Sequence, residues 1–304
     1  MLEVALMIEG QHGLNWPRWQ AIAQAVEALG FVGLYRSDHY TNANPPDMDS
    51  LEMWVSLTWL ASHTKRIEFG PLVSPVSFRQ PTMTARMASA VDDLSGGRLT
   101  LGMGAGWQQR EHQNYSWDLL DVKGRMDRLE EGLEIVTRLL NSDNPINFAG
   151  EYYQLQEAIL LPRPQRAGGP PILVGGNGPK RTLPLVAKYA KEWNGVFITP
   201  EKFSDLSSRL DELLVANGRQ PEDVRRSLML GTVFGRDQKE LDKKMRQRTL
   251  SIEELRGRGL VVGTPAAFAE QLHHYAEVGV QRVMLQWIDL DDLTGLEKMA
   301  AAVL

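Results

Sequence analysis

The chain has 304 residues, of which 43% are hydrophobic and 23% charged, and its formal net charge at pH 7 is −5. This composition is typical of a folded globular protein and excludes a disordered chain, while the acidic balance argues against nucleic acid as a partner. The absence of cysteine excludes disulfides, thiolate nucleophiles and cysteine-ligated metal centres, so any redox chemistry requires an organic cofactor.

The sequence also argues against a membrane partner. No apolar stretch approaches the roughly 20 residues needed to span a bilayer. The first ten residues, MLEVALMIEG, include Glu3 and lack the basic segment that opens a signal peptide. We therefore expect a cytoplasmic protein.

Short apolar runs rich in Val, Ile, Leu and Phe alternate along the chain with longer stretches of helical periodicity. This alternation is expected when each parallel strand is followed by a crossover helix, and eight such strands close a barrel. We therefore predict an α/β fold, a TIM (β/α)8 barrel formed as a single domain by residues 1–304. The predicted strands are Val4–Ile8, Val32–Tyr35, Ile67–Val73, Leu99–Met103, Ile172–Val174, Gly195–Ile198, Leu228–Phe234 and Val280–Gln286.

Two of the helices between these strands have clear boundary signals. The first is predicted to begin at Trp16-Pro17 and to end at Gly30, directly before the second strand. Near the C-terminus, Thr264 is a predicted N-cap with Pro265 at the first helical position, and the apolar pattern continues to Gly279.

The interval between strands 4 and 5 is too long for a plain crossover and predicts an insertion of about residues 107–161. It contains a predicted helix over 123–140 and a predicted hairpin over 148–160. In a TIM barrel the loops that follow the strands build the active face, so we expect the insertion to cover that face.

The end of strand 2 carries the first candidate site residues, Asp38 and His39. An acid beside a histidine at the active end of a barrel fits proton transfer to or from a ligand near neutral pH. The alternative is that Asp38 caps the loop and His39 is a packed structural residue. The residues themselves leave both interpretations open.

The segment after strand 3, residues 70–81, contains Pro71, Pro75 and Pro81. Such a segment is conformationally fixed and either buttresses a planar ring or forms a rigid loop, the latter being favoured for any single residue.

Strand 4 ends in a glycine-rich run with Gly104 and Gly106, which either lets the backbone approach a flat ring or a phosphate closely or forms a structural turn. Trp107 follows, and Glu111 and His112 come shortly after it. Both are candidates for substrate contact or solvent-facing helix residues, and we favour the solvent-facing position for His112.

The most specific local pattern is Gly175-Gly176-Asn177-Gly178-Pro179 after strand 5, followed by Lys180 and Arg181. Free backbone N–H groups at a helix N-terminus beside two cations predict a phosphate cradle. The alternative is a glycine-containing turn that only connects the strand to the helix.

Taken in order, these segments resemble the luciferase-like family, which includes bacterial-luciferase relatives and deazaflavin-dependent dehydrogenases and reductases. Each motif is weak alone, but the ordered set extends over nearly the whole chain. The matching segments are Ser37–Tyr40, Ser74-Pro75, Phe78–Pro81, Asp93–Arg98, Gly102–Trp107, Asp127–Glu131, Ile172–Pro179 and Val262–Pro265.

The resemblance implies a TIM barrel that binds FMN or coenzyme F-420 (F420) at its C-terminal face. It assigns the cofactor phosphate to backbone amides of Gly175, Gly176, Asn177 and Gly178, and it places Gly104 and Gly106 beside the cofactor. Pro71, Leu72 and Val73 match the family's bulge against the ring, often a non-prolyl cis peptide, expected here at Pro71-Leu72. The cofactor-binding residues expected on this basis are Pro71, Leu72, Val73, Gly104, Gly106, Gly175, Gly176, Asn177 and Gly178.

By the same resemblance, Asp38 and His39 match a catalytic pair near the reactive edge of the ring in the deazaflavin branch. We expect hydride transfer between coenzyme F-420 and a small organic substrate, with His39 handling a proton and Asp38 fixing its tautomer. Trp107 and Glu111 are the expected substrate contacts. Trp107 stands where the sugar-phosphate dehydrogenases of the branch have a glutamate, so sugar-phosphate oxidation is not expected.

Two other functions stay open, an FMN-dependent monooxygenase that uses reduced FMN and oxygen, and a flavin-binding relative without turnover. A metal-dependent hydrolase is disfavoured because the six histidines form no clustered ligand pattern, and no metal is expected. The resemblance further suggests a homodimer.

Overall fold

The computed structural model describes residues 2–304 and contains a parallel β-barrel surrounded by helices. The strands of the chain are β1 Glu3–Ile8, β2 Gly33–Arg36, β3 Glu68–Pro71, β4 Ser74–Pro75, β5 Leu101–Gly104, β6 Ile146–Ala149, β7 Gln154–Ala158, β8 Ile172–Gly175, β9 Glu192–Val196, β10 Arg225–Phe234, β11 Leu260–Gly263 and β12 Arg282–Gln286. The helices are α1 Trp16–Leu29, α2 Met53–His63, α3 Pro81–Ser95, α4 Gln109–Asn114, α5 Val122–Asn141, α6 Thr182–Tyr189, α7 Pro200–Ala216, α8 Gln238–Met245, α9 Ile252–Gly257, α10 Pro265–Glu277 and α11 Leu293–Val303. No helix within residues 2–304 is long and apolar enough to cross a membrane.

The strands pair in parallel in the order β3-β2-β1-β12-β10-β9-β8-β5-β4, and a bridge between Phe69 and Leu99 joins the first and last parts of this path. The predicted TIM barrel is therefore confirmed. Each of the eight predicted strands overlaps a strand of the barrel wall. The sixth begins at Glu192 instead of Gly195, because the polar Glu192 and Asn194 are buried in the wall and interrupt the apolar run.

Strand β11 is not among the strands predicted from the sequence. The long strand β10 explains its presence, since residues Ser227–Gly231 pair with β12 while Gly231–Phe234 diverge and pair with β11. A four-residue run such as Leu260–Gly263 is too short to be distinguished from a loop by periodicity.

The predicted helix boundaries agree with the structure. Helix α1 begins at Trp16 and ends at Gly30, whose φ of +100° is favourable for glycine. Helix α10 begins at Pro265 after the N-cap residue Thr264. Between β5 and β8 the chain forms α4, α5 and the antiparallel pair β6–β7, which correspond to the predicted helix and hairpin of the insertion.

Side chains inside the barrel follow the two-residue period of the strands. On β1, Ala5 and Met7 point inward, while Val4, Leu6 and Ile8 pack between the barrel and the helices. The inward-facing side chains are mostly apolar, with the polar Asn194 packed against Met284. The buried apolar members are Ala5, Met7, Tyr35, Leu72, Leu173, Met229 and Met284.

A buried ionic network closes the N-terminal end of the barrel, around Arg282, which is 1% exposed. The Arg282 guanidinium lies 2.7 Å from the carboxylates of Glu3 and Glu68 and donates to the Tyr35 hydroxyl, also at 2.7 Å. Glu192 lies farther from Arg282, at 3.7 Å, and burial raises the pKa of its carboxyl. Arg282 thus holds three strands of the barrel together at their first residues.

The family-like segment Asp93–Arg98 lies at this same end, away from the mouth. The Arg98 guanidinium donates to the backbone carbonyls of Ala61, Thr64 and Ile67 at 2.8 Å each, and so fastens the end of α2 to β3. We conclude that this motif stabilises the barrel and does not bind a ligand at the mouth.

Replacing Arg282 by Met is expected to lower the free energy of unfolding by about 3 kcal/mol, because it leaves the surrounding carboxylates without a cation. Equilibrium unfolding in urea measures this loss. Arg225→Met is the matched control: Arg225 contacts the same carboxylates at 3.7 to 3.9 Å but is 38% exposed, so its loss should cost less than about 1 kcal/mol. Equal losses for the two variants would contradict a structural role specific to Arg282.

Candidate active site

The mouth of the barrel brings together side chains from the ends of several strands and from α4. His39 lies in the loop after β2, and its Nδ1 is 2.8 Å from the Glu111 carboxylate, which comes from α4 in the insertion. Glu111 is fully buried and the His39 side chain is 15% exposed. The structure therefore brings together two predicted site residues that are 72 positions apart in the chain.

Backbone donors fix the position of the Glu111 carboxylate. Its second oxygen accepts from the backbone N–H of Tyr40 and from that of Thr41, the latter at 3.2 Å. With His39, three donors surround this buried carboxylate. Glu111 thus orders the loop that carries His39 and orients its imidazole at the same time.

The surroundings of His39 raise its pKa above the ordinary value of histidine. Burial alone would lower the pKa, but the hydrogen bond and the charge of Glu111 outweigh burial, and the charge of Glu9 adds to them. The protonated imidazole is accordingly stabilised at the mouth.

Trp107 contacts the other nitrogen of the same ring. Its indole N–H donates to His39 Nε2 at 3.2 Å, and the two rings meet edge to face with centroids 5.6 Å apart. This contact requires a lone pair on Nε2, so it fits the neutral imidazole with its proton on Nδ1, toward Glu111. Trp107 is 61% exposed, and its displacement would open His39 Nε2 to a ligand.

The expected role of Asp38, to fix the tautomer of His39, is wrong, because Glu111 occupies the Nδ1 position. The Asp38 carboxylate accepts instead from the Ser74 hydroxyl at 2.9 Å and from both terminal nitrogens of Arg79. Burial alone would lower the pKa of the Arg79 guanidinium, but the charge and the hydrogen bond of Asp38 outweigh burial, so this pKa is raised. The charge of Asp38 is thus already compensated within the protein.

The alternative that Glu111 and His112 face solvent is also wrong, since Glu111 is 0% and His112 2% exposed. His112 Nδ1 lies 2.8 Å from the Gln108 carbonyl, and Nε2 lies 2.8 Å from the Ser77 hydroxyl. A carbonyl can only accept, so Nδ1 donates to it and Nε2 accepts from Ser77. His112 is therefore a structural histidine beside the site.

The bulge after β3 has its non-prolyl cis peptide between Leu72 and Val73, so the expected position, Pro71-Leu72, is wrong by one residue. The side chain of Val73 fills the space beside two glycines. A Cβ on Gly104 would come within 2.5 Å of a Val73 methyl group, and one on Gly175 within 3.1 Å. The bulge itself thus requires glycine at position 104 and leaves little room for a side chain at position 175, a reason that is not visible in the sequence.

Gly106 has a different local role from Gly104. Its φ is +80°, and a Cβ there would lie 3.2 Å from the Ser77 hydroxyl and 3.5 Å from the His112 ring. The glycine run therefore turns the chain tightly between β5 and Trp107, against the buried His112.

The glycine loop after β8 retains free donors, although its side chains are engaged. The Asn177 side chain donates to the Val196 carbonyl at 2.7 Å and accepts from the Val196 N–H at 2.9 Å, and the Gly176 N–H donates to Asn194. Within residues 2–304, the backbone N–H groups of Asn177 and Gly178 have no acceptor. A Cβ on Gly178 would lie only 2.8 Å from the Thr182 hydroxyl at the start of α6, so this concave turn needs glycine.

Of the two cations predicted to lie beside this loop, Lys180 and Arg181, the second is paired with other residues. Arg181 pairs with Asp127 of α5 at 2.5 Å and lies 4.0 Å from Glu130. The part of the predicted cradle that can hold a phosphate is therefore the backbone of Asn177 and Gly178, together with the N-terminus of α6.

Three further polar residues of the mouth are not among the predicted site residues, namely Glu9, Arg79 and Gln286. Glu9 lies two residues after Met7, as Met7 lies two residues after Ala5, so it continues the inward-facing side of β1 just beyond the end of the strand. This two-residue repeat is the feature of the sequence from which Glu9 could have been predicted. The Glu9 carboxylate accepts from Gln286 at 2.7 Å and from Gln11 at 3.0 Å. A charge at an inward position of a buried strand is a reason to examine that residue.

Comparison with known proteins places the chain among flavin and deazaflavin enzymes. A family model described as luciferase-like monooxygenase matches residues 4–259. The chain is 28% identical over 282 residues to the F420-dependent glucose-6-phosphate dehydrogenase of Amycolatopsis mediterranei, which covers 89% of this chain and 80% of that protein. It is 32% identical over 177 residues to the 4-hydroxyprotoasukamycin monooxygenase of Streptomyces nodosus subsp. asukaensis, covering 58% of this chain and 46% of that protein.

Among solved structures, an F420-dependent secondary alcohol dehydrogenase in complex with an F420-acetone adduct superposes with a TM-score of 0.86. The alignment covers 99% of this chain and 98% of that chain at 17% sequence identity. At this identity the similarity establishes the fold.

Replacing Glu111 by Gln is expected to lower the pKa of His39, because the side chain keeps its size but loses the charge that outweighs burial. NMR-monitored titration of the imidazole C–H signals measures this, with the exposed His273 as a reference in the same spectra. Asp38→Asn is the matched control, since Arg79 already compensates Asp38, and it should change the pKa much less. A His39 pKa that is equal in Glu111→Gln and the wild type would contradict the assignment.

The same shift predicts a pH dependence of stability. Because the pKa of His39 is raised in the folded state, protonation of His39 adds to the free energy of unfolding. This contribution is fully present below the ordinary pKa of histidine and is lost as the pH rises through the raised value. Urea unfolding at a series of pH values should show this loss in the wild type and a weaker one in Glu111→Gln.

Proposed function

The chain belongs to the luciferase-like monooxygenase family, and from this premise we propose that this oxidoreductase transfers a hydride between coenzyme F-420 and a small organic substrate. The observation that carries the proposal is His39, oriented by the buried Glu111 at the active end of the barrel. Proton transfer by a positioned histidine fits a reaction in which a hydride and a proton move separately.

The relatives support the deazaflavin over FMN. The F420-dependent dehydrogenase relative matches 89% of the chain, whereas the monooxygenase relative matches 58%. The FMN-dependent monooxygenase remains the second candidate because that relative is the more identical of the two over the part that aligns. Oxygen consumption distinguishes the two candidate functions, because a monooxygenase consumes oxygen with reduced FMN.

The residues present fit a cofactor with a phosphate and a planar ring. The free N–H groups of Asn177 and Gly178 at the start of α6 would hold the phosphate. The bulge at Leu72-Val73 and the glycines Gly104 and Gly175 form the wall beside them, against which the ring would lie. When bound, the coenzyme supplies a two-electron hydride acceptor or donor.

The side chains at the mouth exchange the proton, orient the imidazole and exclude water. His39 Nε2 exchanges the proton with the substrate, and Glu111 acts as a positioning residue that stabilises the protonated imidazole. Because Glu111 is fully buried and accepts hydrogen bonds from three protein donors, we assign it this positioning role in place of the substrate contact expected from sequence. Trp107, exposed and in contact with Nε2, is the substrate-side residue that excludes water when it covers the ring.

The proposal includes a homodimer formed through α2 and α3. These helices pack side by side, and their outer faces carry Val55, which is 56% exposed, and Met83, which is 50% exposed. Large exposed apolar side chains on two neighbouring helices are typical of a surface buried by a second copy.

Turnover should depend on His39. With coenzyme F-420 and an oxidisable substrate, His39→Ala is expected to lower kcat/KM by about 100-fold or more through loss of proton transfer, with the coenzyme still bound. Fluorescence titration of F420 and FMN in parallel measures binding, and absorbance of the deazaflavin measures turnover. His273→Ala, on the exposed face of α10, is the control.

Three outcomes would contradict this proposal. Tighter FMN binding with oxygen uptake would favour the monooxygenase, tight coenzyme binding without any turnover would favour a non-catalytic relative, and unchanged turnover in His39→Ala would remove the role of His39.

The dimer is tested by Val55→Glu, which places a charge on the proposed interface. Light scattering should give the mass of two chains for the wild type and of one chain for the variant, because burying an unpaired charge is costly. Val215→Glu is the control, because Val215 is similarly exposed on α7. A wild-type protein with the mass of one chain would refute the dimer.

A further inference from the structure

Trp107 occupies the nitrogen of His39 on which the proposed reaction depends. Its indole N–H donates to His39 Nε2 at 3.2 Å, and the two rings meet edge to face with an interplanar angle of 80°. The other nitrogen, Nδ1, lies 2.8 Å from the Glu111 carboxylate. An ionised carboxylate can only accept, so Nδ1 carries the proton of the neutral imidazole. The lone pair of Nε2 is therefore already engaged by a donor of the protein.

A neutral imidazole has a single lone pair on Nε2, and this limits what can bind there. A substrate hydroxyl that gives its proton to Nε2 needs the same lone pair, so it has to displace the indole N–H of Trp107. When Nε2 is protonated it becomes a donor itself, and it then repels the indole N–H. The contact between Trp107 and His39 is thus possible in only one of the two protonation states of the imidazole.

The side chain of Trp107 can leave without a change in the backbone. Residues 105–108 lie between β5 and α4 outside any helix or strand, and Trp107 is 61% exposed. The chain is fixed on both sides, since the Gly106 carbonyl accepts from Arg125 at 3.0 Å and the Gln108 side chain donates to the Thr41 carbonyl at 2.9 Å. Release therefore requires only the rotation of an exposed side chain, which is fast compared with enzyme turnover.

The charged groups that face His39 come from three parts of the mouth. Burial alone would lower the pKa of His39, but the hydrogen bond and the charge of Glu111 on α4 outweigh burial. Glu9, after β1, and Asp38, in the same loop as His39, add to this effect, although Arg79 compensates the charge of Asp38. As the pH falls, the imidazole is therefore protonated, and the contact with Trp107 lost, at a higher pH than the ordinary pKa of histidine.

We propose that Trp107 is a proton-controlled gate on His39, whose indole N–H covers Nε2 of the neutral imidazole and is released when Nε2 takes up a proton. The inference rests on the proposed function, because the gate acts on the atom that exchanges the proton with the substrate. It names the regulation of that site. Trp107 is a positioning residue and takes up no proton itself.

The gate fits a balanced reaction in both directions. In reduction, the substrate carbonyl carbon accepts a hydride from the reduced coenzyme and the carbonyl oxygen accepts the Nε2 proton, which leaves an alcohol and neutral His39. Nε2 then regains its lone pair, and the indole N–H of Trp107 competes with the product hydroxyl for it. In oxidation the same steps run in reverse, and the hydroxyl displaces the indole first. The gate thus admits a carbonyl substrate when His39 has a proton to donate.

The contact can be measured through the indole N–H signals of the full chain labelled with ¹⁵N-tryptophan. The chain has eight tryptophans, and the signal that is missing in Trp107→Phe belongs to Trp107. We expect this signal to move as the pH falls through the pKa of His39, with the same midpoint as the imidazole C–H signals, and to stay constant in His39→Gln. The Trp193 signal is the internal control, because its N–H donates to the Gly176 carbonyl at 2.9 Å and should not titrate.

Two variants separate the gate from a general effect of pH. Glu111→Gln should lower the midpoints of the His39 and Trp107 signals together, because both report the same protonation. Trp107→Phe keeps an aromatic ring without the N–H, so it should raise the pKa of His39, whose neutral form loses a donor. Trp59→Phe is the matched control: Trp59 contacts Trp16 and His63 on another part of the surface, and its replacement should leave the pKa of His39 unchanged.

Access to Nε2 provides a second readout. Diethyl pyrocarbonate attacks the lone pair of a neutral imidazole, and mass spectrometry of the resulting peptides reports each histidine separately. At a pH above the midpoints of both proteins, Trp107→Ala should react at His39 about ten-fold faster than the wild type, because the competing hydrogen bond is lost. The exposed His274 on α10 is the reference in the same digest and should react at equal rates in both.

The outcomes separate this inference from the proposed function. A Trp107 signal that does not change while His39 titrates, or a His39 that reacts equally fast in the wild type and Trp107→Ala, would overturn the gate. Failure to bind coenzyme F-420 would overturn the proposed function alone, because neither readout requires the coenzyme. Should a Trp107 variant fail to fold, the wild-type spectra decide the question, since the gate requires one indole signal that titrates together with His39.

Discussion

One buried carboxylate joins the two parts of the chain that form the mouth of this barrel. Glu111 comes from the insertion after β5, yet its oxygens accept from His39 and from the backbone of the loop after β2. A fully buried charge is tolerated only when donors surround it, so the loop and α4 have to adopt their positions together. The orientation of His39, its raised pKa and its contact with Trp107 all depend on this arrangement.

Charge is distributed differently at the two ends of the barrel. At the N-terminal end, Arg282 and Arg225 pair with the surrounding acids, and the resulting network contributes to stability. At the mouth, Asp38 is paired with Arg79, while Glu9 is bound only by neutral amides. The mostly apolar layer inside the barrel separates these two groups of charged residues.

The glycines of the mouth show how one sequence signal has several physical causes. Gly104 is required because the Val73 side chain occupies the space of its absent Cβ atom, Gly175 lies close to the same side chain, and Gly106 is required by its positive φ. Gly178 is required by its close approach to Thr182. Within residues 2–304 the turn at Gly178 leaves the backbone N–H groups of Asn177 and Gly178 without a protein acceptor, and the cofactor proposal depends on these donors.

The sequence by itself determined the barrel, because strand and helix periods, Gly30 and Pro265 are local signals that tertiary packing did not need to override. It also placed Asp38, His39 and Glu111 at the active end, since residues after parallel strands share one face. It did not determine which of them meet. Asp38 pairs with Arg79 and His39 with Glu111 because those contacts depend on how α4 and the loop after β3 pack across the mouth. Such contacts join residues far apart in the chain, and no local pattern of the sequence contains them.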